Sequence, residues 1–160
     1  MGSVKTRLLI VADEARVRRK LEIIFTILGY AVRASPDRSC AFNAIRDDMP
    51  DIILSDLDMP GMSGSEFLLV VRRRFPCIRV IAMSKVLAGT AVPPGVAADA
   101  FYERGRHLRS LLGIVEAMAR PGRPREIRFP RIPLRPSALT RTGTSPRRIV
   151  RNDVVPRRSA

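Results

Sequence analysis

The sequence has few of the residues that mark a disulfide-linked, metal-binding or membrane-spanning protein. It contains two cysteines and one histidine among 160 residues, and the spacing of Cys40 and Cys77 is not that of a metal site. Each cysteine lies beside apolar residues, so we expect reduced thiols in the core. His107, at the start of a predicted helix, is not evidence of catalysis. No apolar run has membrane-spanning length or is followed by a signal cleavage site, which predicts a cytoplasmic protein with no membrane partner.

Charge and proline divide the chain into two compositions. The net charge is +14, from 29 basic and 15 acidic residues. Residues 119–160 hold 12 arginines, two acids and seven of the 13 prolines, whereas residues 1–118 are nearly balanced, with 17 basic and 13 acidic residues. We therefore predict a globular domain at residues 6–119 and a basic, disordered tail at residues 120–160.

Two interpretations of the tail stay open. A disordered extension can simply be solvated, or its arginines can bind an acidic partner or the phosphates of a nucleic acid. Phe129 is the only aromatic residue in the tail, so stacking on bases is not supported. No helix-turn-helix is visible, and binding to nucleic acid would therefore be non-specific.

Apolar runs and helical stripes alternate about five times before the tail. The apolar runs predict strands at 8–11, 30–32, 52–54, 78–83 and 100–102. Stripes of apolar residues at helical spacing predict helices at 15–28, 65–75 and 106–119, and a capping Ser35 followed by proline opens another. Pro93 and Pro94 leave only a short or broken helix between the fourth and fifth strands. This alternation predicts an α/β fold, with helices covering both faces of a parallel sheet.

Polar residues follow four of the predicted strands, namely Asp13, Asp56, Ser84 and Arg104. In open α/β sheets, ligands bind beyond the carboxyl ends of the strands, so these residues are candidates for a common site. Each also has a simpler interpretation. The two carboxylates can cap turns or helices, Ser84 can be an ordinary strand-end serine, and Arg104 can be one of many solvated arginines.

Residues 6–119, about three quarters of the chain, resemble the receiver domain of two-component response regulators. The most specific piece is the segment from Leu54 to Gly64, which reads Leu-Ser-Asp-Leu-Asp-Met-Pro-Gly-Met-Ser-Gly. Leu-Ile-Val-Ala-Asp-Glu at residues 9–14 supports it. The resemblance implies a flavodoxin-like, doubly wound sheet of five parallel strands. It also implies a signalling switch and not an enzyme, with at most self-phosphotransfer and self-dephosphorylation.

The resemblance further implies residue roles. Asp56 would accept a phosphoryl group from a phosphohistidine on a histidine kinase or phosphotransfer protein, which would change contacts with an output protein. A Mg²⁺ site of Asp13, Asp56 and the backbone carbonyl of Asp58 would let the negatively charged oxygens approach the carboxylate. Ser84 would hydrogen-bond a phosphoryl oxygen. Phe101 would be the aromatic residue whose rotamer reports the switch, although a phenylalanine here is more often an ordinary core residue.

The chain departs from the family pattern at three positions. Ala12 replaces the first of two adjacent acids, Arg104 replaces a lysine, and Gly105 replaces a proline. Loss of one metal ligand should weaken Mg²⁺ binding without abolishing it, and the arginine fork is larger and differently aimed than an ammonium group. Two alternatives therefore stay open: a pseudo-receiver that docks without phosphoryl transfer, and a polyanion or nucleic-acid binder that acts through the tail.

Overall fold

A parallel sheet of five strands lies at the centre of the computed structural model, which describes residues 5–120. The strands lie side by side in the order β2-β1-β3-β4-β5, and every neighbouring pair is parallel. Their bounds are β1 Arg7–Val11, β2 Ala31–Ser35, β3 Ile52–Asp56, β4 Arg79–Ser84 and β5 Ala100–Glu103. Because the strand order reverses between β1 and β3, a crevice forms beyond the carboxyl ends of these two strands.

Four helices cover the two faces of the sheet, with bounds α1 Ala15–Ile27, α2 Arg38–Asp47, α3 Gly64–Arg74 and α4 Leu108–Ala119. Buried residues of α2 and α3 pack on one face, and those of α1 and α4 pack on the other. The predicted α/β fold with both faces covered is therefore confirmed. Within residues 5–120, no helix is long and apolar enough to cross a membrane.

The strands read as continuous apolar runs because both of their faces are buried. In β1, Leu8 and Ile10 contact the side of α1 and α4, whereas Leu9 and Val11 contact the side of α2 and α3. All four are at most 1% exposed. Alternate side chains of a strand point to opposite faces, so each of these runs contributes to both halves of the core.

Two predictions are wrong, namely the residue that caps α2 and the burial of both cysteines. Ser35 is not its cap, because it pairs with Val11 as the last residue of β2. Asp37 caps the helix instead, and its Oδ1 accepts a hydrogen bond from the backbone N–H of Cys40 at 2.7 Å. The predicted burial of both cysteines is also wrong, since Cys40 and Cys77 are exposed free thiols. In α2 the inward positions belong to Ala41, Ala44 and Ile45, which leaves Cys40 on the solvent side.

The segment between β4 and β5 contains no helix, in agreement with its predicted interruption. Asp99 anchors its end, where Oδ2 accepts a hydrogen bond from the backbone N–H of Val80 at 2.8 Å. Oδ1 of the same carboxylate forms an ion pair at 2.8 Å with Arg72 of α3, which is 3% exposed. Val96 and Ala97 are buried against the α2 and α3 side. Side-chain contacts therefore attach this segment to the core.

Candidate functional site

Asp56 is the last residue of β3, at the middle of the sheet. Its side chain is wholly buried, and Oδ1 accepts a hydrogen bond from the backbone N–H of Asp58 at 2.9 Å. Oδ2 forms a hydrogen-bonded ion pair with Nη1 of Arg104. Burial raises the pKa of Asp56, and the hydrogen bond from Asp58 and the charge of Arg104 oppose the rise without reversing it. Asp56 is therefore a buried, paired carboxylate and not an exposed turn residue.

Arg104 follows β5 and connects three loops at this end of the sheet. Its backbone N–H donates to the carbonyl of Ser84 at 2.7 Å, and its Nη2 contacts Oε1 of Glu14 at 2.8 Å. Nζ of Lys85 lies 3.2 Å from the same carboxylate oxygen. The hydrogen bond from Arg104, followed by that from Lys85, lowers the pKa of Glu14. Arg104 is only 12% exposed, so it is not one of the solvated arginines.

Gly105 explains one departure from the family pattern. Its φ is +101°, in the left-handed region that glycine enters freely. Proline has φ fixed near about −65° and could not replace it in this conformation. The turn that follows Arg104 therefore differs from one that would contain proline.

Ser84 ends β4 and is fully buried beside Asp58. Its Oγ donates to Oδ1 of Asp58 at 2.8 Å and accepts the backbone N–H groups of Val86 and Leu87 at 3.1 and 2.9 Å. Oδ2 of Asp58 accepts the backbone N–H of Lys85 at 2.6 Å. Sequence reasoning gave Asp58 only a backbone role, whereas its side chain also joins the loop after β3 to the loop after β4.

Asp13 and Ala12 follow β1, at the neighbouring strand end. Asp13 is exposed, whereas Ala12 is wholly buried among the residues that pack between the sheet and α1 and α4. Nη1 of Arg18 donates to the backbone carbonyls of Ala12 and Asp13 at 2.6 and 3.0 Å. A small core residue, Ala12, thus occupies the position of the missing acid, and the side chain of Arg18 binds the backbone carbonyls there.

Arg38, the first residue of α2, is a site residue that sequence reasoning missed. It is 6% exposed, and its guanidinium donates to the carbonyls of Met59 and Pro60 at 3.2–3.5 Å. Burial lowers the pKa of Arg38, while the carboxylates of Asp56 and Asp13 act to raise it. Arginine is rarely buried, so nothing in the sequence distinguished it from the exposed arginines nearby.

Phe101 lies in β5 and is 2% exposed. It belongs to the buried cluster on the α2 and α3 side, together with Ala82 of the neighbouring strand. The structure therefore shows it in a core position, as the simpler interpretation expected. Its role as a rotamer switch stays a prediction.

The sequence model of the response regulator receiver domain family matches residues 8–101, more than half of the chain. The chain belongs to this family. The matched span begins in β1 and ends in β5, and it contains Asp13, Asp56 and Ser84. Arg104 lies three residues beyond its end.

Curated relatives share the receiver domain over only part of their length. A protein-glutamate methylesterase/protein-glutamine glutaminase from Cereibacter sphaeroides is 39% identical over 87 residues, which are 53% of this chain and 24% of the relative. The DNA-binding transcriptional regulator NtrC of Proteus hauseri is 32% identical over 75 residues, which are 47% of this chain and 16% of the relative. The chain therefore matches a quarter or less of these two proteins.

Solved structures share the receiver fold over most of the described domain. The chemotaxis protein CheY4 of Vibrio cholerae has a TM-score of 0.63 and 22% identity, covering 72% of this chain and 99% of CheY4. The response regulator TrrA of Thermotoga maritima, solved in complex with Mg²⁺ and BeF, has a TM-score of 0.64 and 22% identity, covering 71% of this chain and 98% of TrrA. TrrA was also solved in complex with the histidine kinase ThkA, where the TM-score is 0.65. At this identity, the likeness shows the flavodoxin-like fold.

The receiver site of this chain is poor in metal ligands. Within residues 5–120, no group of three or more histidine, cysteine, aspartate or glutamate side chains could hold a metal ion. Asp13 and Asp56 supply two hard carboxylates at neighbouring strand ends, and one or two carboxylates with several waters suffice for Mg²⁺. The donor chemistry therefore fits a weakly held Mg²⁺. Because Arg104 already contacts Oδ2 of Asp56, an ion would compete with a guanidinium.

Proposed function

We propose that this receiver domain accepts a phosphoryl group on Asp56 and thereby changes its contacts with an output protein. The observation that carries the proposal is the setting of Asp56, a buried carboxylate at the switch point of the sheet, contacted by a backbone N–H and a guanidinium. A histidine kinase or phosphotransfer protein in the cytoplasm would be the donor. The complex of TrrA with the kinase ThkA supports a kinase partner for a domain of this fold.

The transfer forms one bond and breaks one. An oxygen of Asp56 would attack phosphorus while the bond from phosphorus to the histidine nitrogen breaks, and the imidazole would leave with the electron pair. Arg104 would donate to a phosphoryl oxygen, since guanidinium groups bind phosphoryl oxygens well. Asp13, Asp56 and the backbone carbonyl of Asp58 would hold Mg²⁺, whose positive charge would reduce the repulsion between the carboxylate and the phosphoryl group. The domain would act on no separate substrate, with at most self-phosphotransfer and self-dephosphorylation.

Ser84 would connect phosphorylation to the surface. Its Oγ now holds Asp58 and the backbone of Val86 and Leu87. Donation to a phosphoryl oxygen would break the hydrogen bond to Asp58 and move these two residues, which are 74% and 40% exposed. Phe101, in the neighbouring β5, would change rotamer with this loop. A local charge change would thus alter an exposed apolar surface.

The test is the intact mass after incubation with acetyl phosphate, with and without Mg²⁺. We expect the wild type to gain one phosphoryl group and Asp56→Asn to gain none. Asp51→Asn is the matched control, because it makes the same chemical change at an aspartate at the opposite edge of the sheet, and it should be phosphorylated like the wild type. Failure of the wild type to form an adduct, with acetyl phosphate or with a panel of phosphorylated histidine kinases, would contradict phosphoryl transfer and favour the pseudo-receiver alternative suggested by Ala12.

Predictions for the tail lie outside the described residues, apart from Arg120. The domain bounds at 6–119 and 120–160 and the disorder of the tail therefore stay predictions. So does non-specific binding of nucleic acid or another polyanion by the tail arginines. Salt-sensitive binding to mixed-sequence DNA that disappears when residues 121–160 are deleted would support that alternative.

A further inference from the structure

Several cationic side chains lie around Asp56, at a site that is expected to attract a cation. Four carboxylates and four cationic groups are connected to one another around Asp56 by hydrogen bonds, ion pairs or charge, and the formal charges of this group cancel. They are Asp13, Glu14, Asp56 and Asp58 against Arg18, Arg38, Lys85 and Arg104. A neutral cluster attracts a divalent cation weakly, while guanidinium groups beside the nucleophile favour a phosphoryl anion.

Arg38 is held in place without all of its donors being used. Its two terminal nitrogens contact the carbonyls of Met59 and Pro60, while its buried Nε has no hydrogen-bond partner in the structure. Desolvating a cation is costly unless opposite charge lies nearby. The carboxylates of Asp56 and Asp13 supply that charge. Arg38 thus adds a second buried guanidinium, which lies against the loop that follows Asp56.

Arg104 is held in place by Glu14 as well as by the acceptor Asp56. Nη2 contacts Glu14 while Nη1 contacts Asp56, so the two ends of the fork have different partners. When Asp56 forms a bond to phosphorus, Glu14 still holds the guanidinium beside it. Nη1 is then free to donate to a phosphoryl oxygen, with its orientation already fixed.

We propose that Arg38 and Arg104 supply the positive charge that lets Asp56 accept a phosphoryl group from an acyl phosphate without a divalent cation. In the reaction with acetyl phosphate, a bond forms between an Asp56 oxygen and phosphorus, the bond from phosphorus to the bridging oxygen breaks, and acetate leaves with the electron pair. This inference rests on the proposed acceptor function. It adds that the chain's own guanidinium groups compensate for the acid replaced by Ala12.

The first experiment measures the rate of phosphorylation by intact mass, with Mg²⁺ and with excess EDTA. The wild type should react in EDTA within about tenfold of its rate in Mg²⁺. Arg38→Met and Arg104→Met remove one charge each at similar side-chain length, and each should lose at least about tenfold in EDTA. Arg33→Met is the matched control, because Arg33 is a half-exposed arginine paired with Asp47, and it should keep the wild-type rate.

The second experiment measures Mg²⁺ binding by calorimetry and does not depend on phosphorylation. Removing a guanidinium that competes for Asp56 should strengthen Mg²⁺ binding, so Arg104→Met should bind the ion at least about tenfold more tightly than the wild type. Arg38→Lys and Arg104→Lys keep the positive charge but not the shape of the guanidinium group. They therefore distinguish an effect of charge from a purely structural role of the side chain. Circular dichroism checks that each variant is folded before its rate or affinity is interpreted.

The outcomes separate this inference from the proposed function. An adduct in EDTA that is lost in the methionine variants supports both. An adduct that forms only with Mg²⁺ leaves the acceptor function intact and overturns metal-free transfer. An adduct in EDTA that survives in both methionine variants overturns the role of the two arginines. No adduct under either condition, with Mg²⁺ affinity unchanged in Arg104→Met, overturns both proposals.

Discussion

One arrangement, a single arginine between two carboxylates, occurs at both ends of the parallel strands. The amino edge of the sheet is the side where the strands begin, and the carboxyl edge is the side where they end. At the amino edge, Arg7 contacts Asp48 at 3.0 Å and Asp51 at 3.2 Å, and the three side chains are 43–52% exposed. At the carboxyl edge, Arg104 contacts Glu14 and Asp56, where Arg104 is 12% exposed and Asp56 is wholly buried. The two clusters contain the same chemical groups but differ in how deeply these groups are buried.

The difference in burial reverses the direction in which the pKa of the aspartate is shifted. Burial acts to raise the pKa of Asp51, but the hydrogen bonds and charge of Arg7 outweigh it and leave that pKa lowered. Burial also acts to raise the pKa of Asp56, and there the hydrogen bond from Asp58 and the pairing with Arg104 do not outweigh it. The amino-edge pair is therefore a surface ion pair, whereas the carboxyl edge keeps a charge that disfavours folding, as is common at functional sites.

The largest expected effect concerns how tightly the carboxyl edge is packed. A Cβ added at Gly64, the first residue of α3, would lie 2.7 Å from the Cα of Leu57, next to Asp56. Because backbone atoms cannot yield as a flexible side chain can, Gly64→Ala should cost about 3 kcal/mol of unfolding free energy. Gly113→Ala in α4 is the control, because a Cβ there meets nothing within 4 Å, and it should stabilise by about 0.5–1 kcal/mol. Urea unfolding measures both, and equal stability of Gly64→Ala and the wild type would show that the site loop is loose.

The second prediction concerns Arg104, the cation of the buried cluster. Arg104→Ala leaves the wholly buried Asp56 without its ion-pair partner. Breaking a buried pair from one side typically costs about 3–5 kcal/mol, and we expect about 2 kcal/mol because Asp56 can take up a proton.

A double-mutant cycle provides the control for this prediction. The cost of Arg104→Ala should fall in the Asp56→Asn background, since no buried charge is then left unpaired. An equal cost in both backgrounds would show that Arg104 stabilises the fold through packing or through Glu14, and not through Asp56.

The third prediction uses pH to separate the two edges. The pKa of Asp56 is raised from its ordinary 3.8, so its ionisation favours the unfolded chain and the wild type loses stability as pH rises through the raised value. The pKa of Asp51 is lowered from 3.8, so Asp51 contributes stability above that value, which is lost as pH falls through the lowered one.

Stability measured between about pH 3 and about pH 7 should show opposite trends for the two asparagine variants. Relative to the wild type, Asp56→Asn should become more stable as pH rises. Asp51→Asn should be less stable near neutral pH, and the deficit should shrink in acid. If both variants changed with pH in the same direction, burial would not be what distinguishes the two edges.

The sequence predicted the elements that local pattern controls. Continuous apolar runs such as residues 8–11 identified strands buried on both faces, and Pro93 and Pro94 identified the segment where the helical pattern is interrupted. The strand-end positions of Asp56 and Ser84 followed from topology, because parallel strands bring their carboxyl ends to one edge. These features depend on residue spacing, which can be read directly from a sequence.

The features that escaped prediction depend on side chains that meet across the fold. Lys85 contacts Glu14 from 71 positions away, and the buried Arg38 faces a loop 21 or 22 positions along the chain. Burial of an arginine and exposure of a cysteine such as Cys40 both run against residue preference. Such pairings depend on how three loops meet at the sheet edge, which periodicity does not describe.

The smallest expected effect is at the amino edge, where Arg7→Ala should leave the urea midpoint within experimental error of the wild type. Water competes for all three half-exposed side chains of this cluster, and exposed ion pairs contribute little to stability. Any effect should diminish further in high salt, which screens exposed charges. A loss as large as that of Arg104→Ala, persisting in high salt, would mean that geometry and not burial sets the strength of an arginine between two carboxylates. The asymmetry between the two edges would then have to come from the chemistry of Asp56 alone.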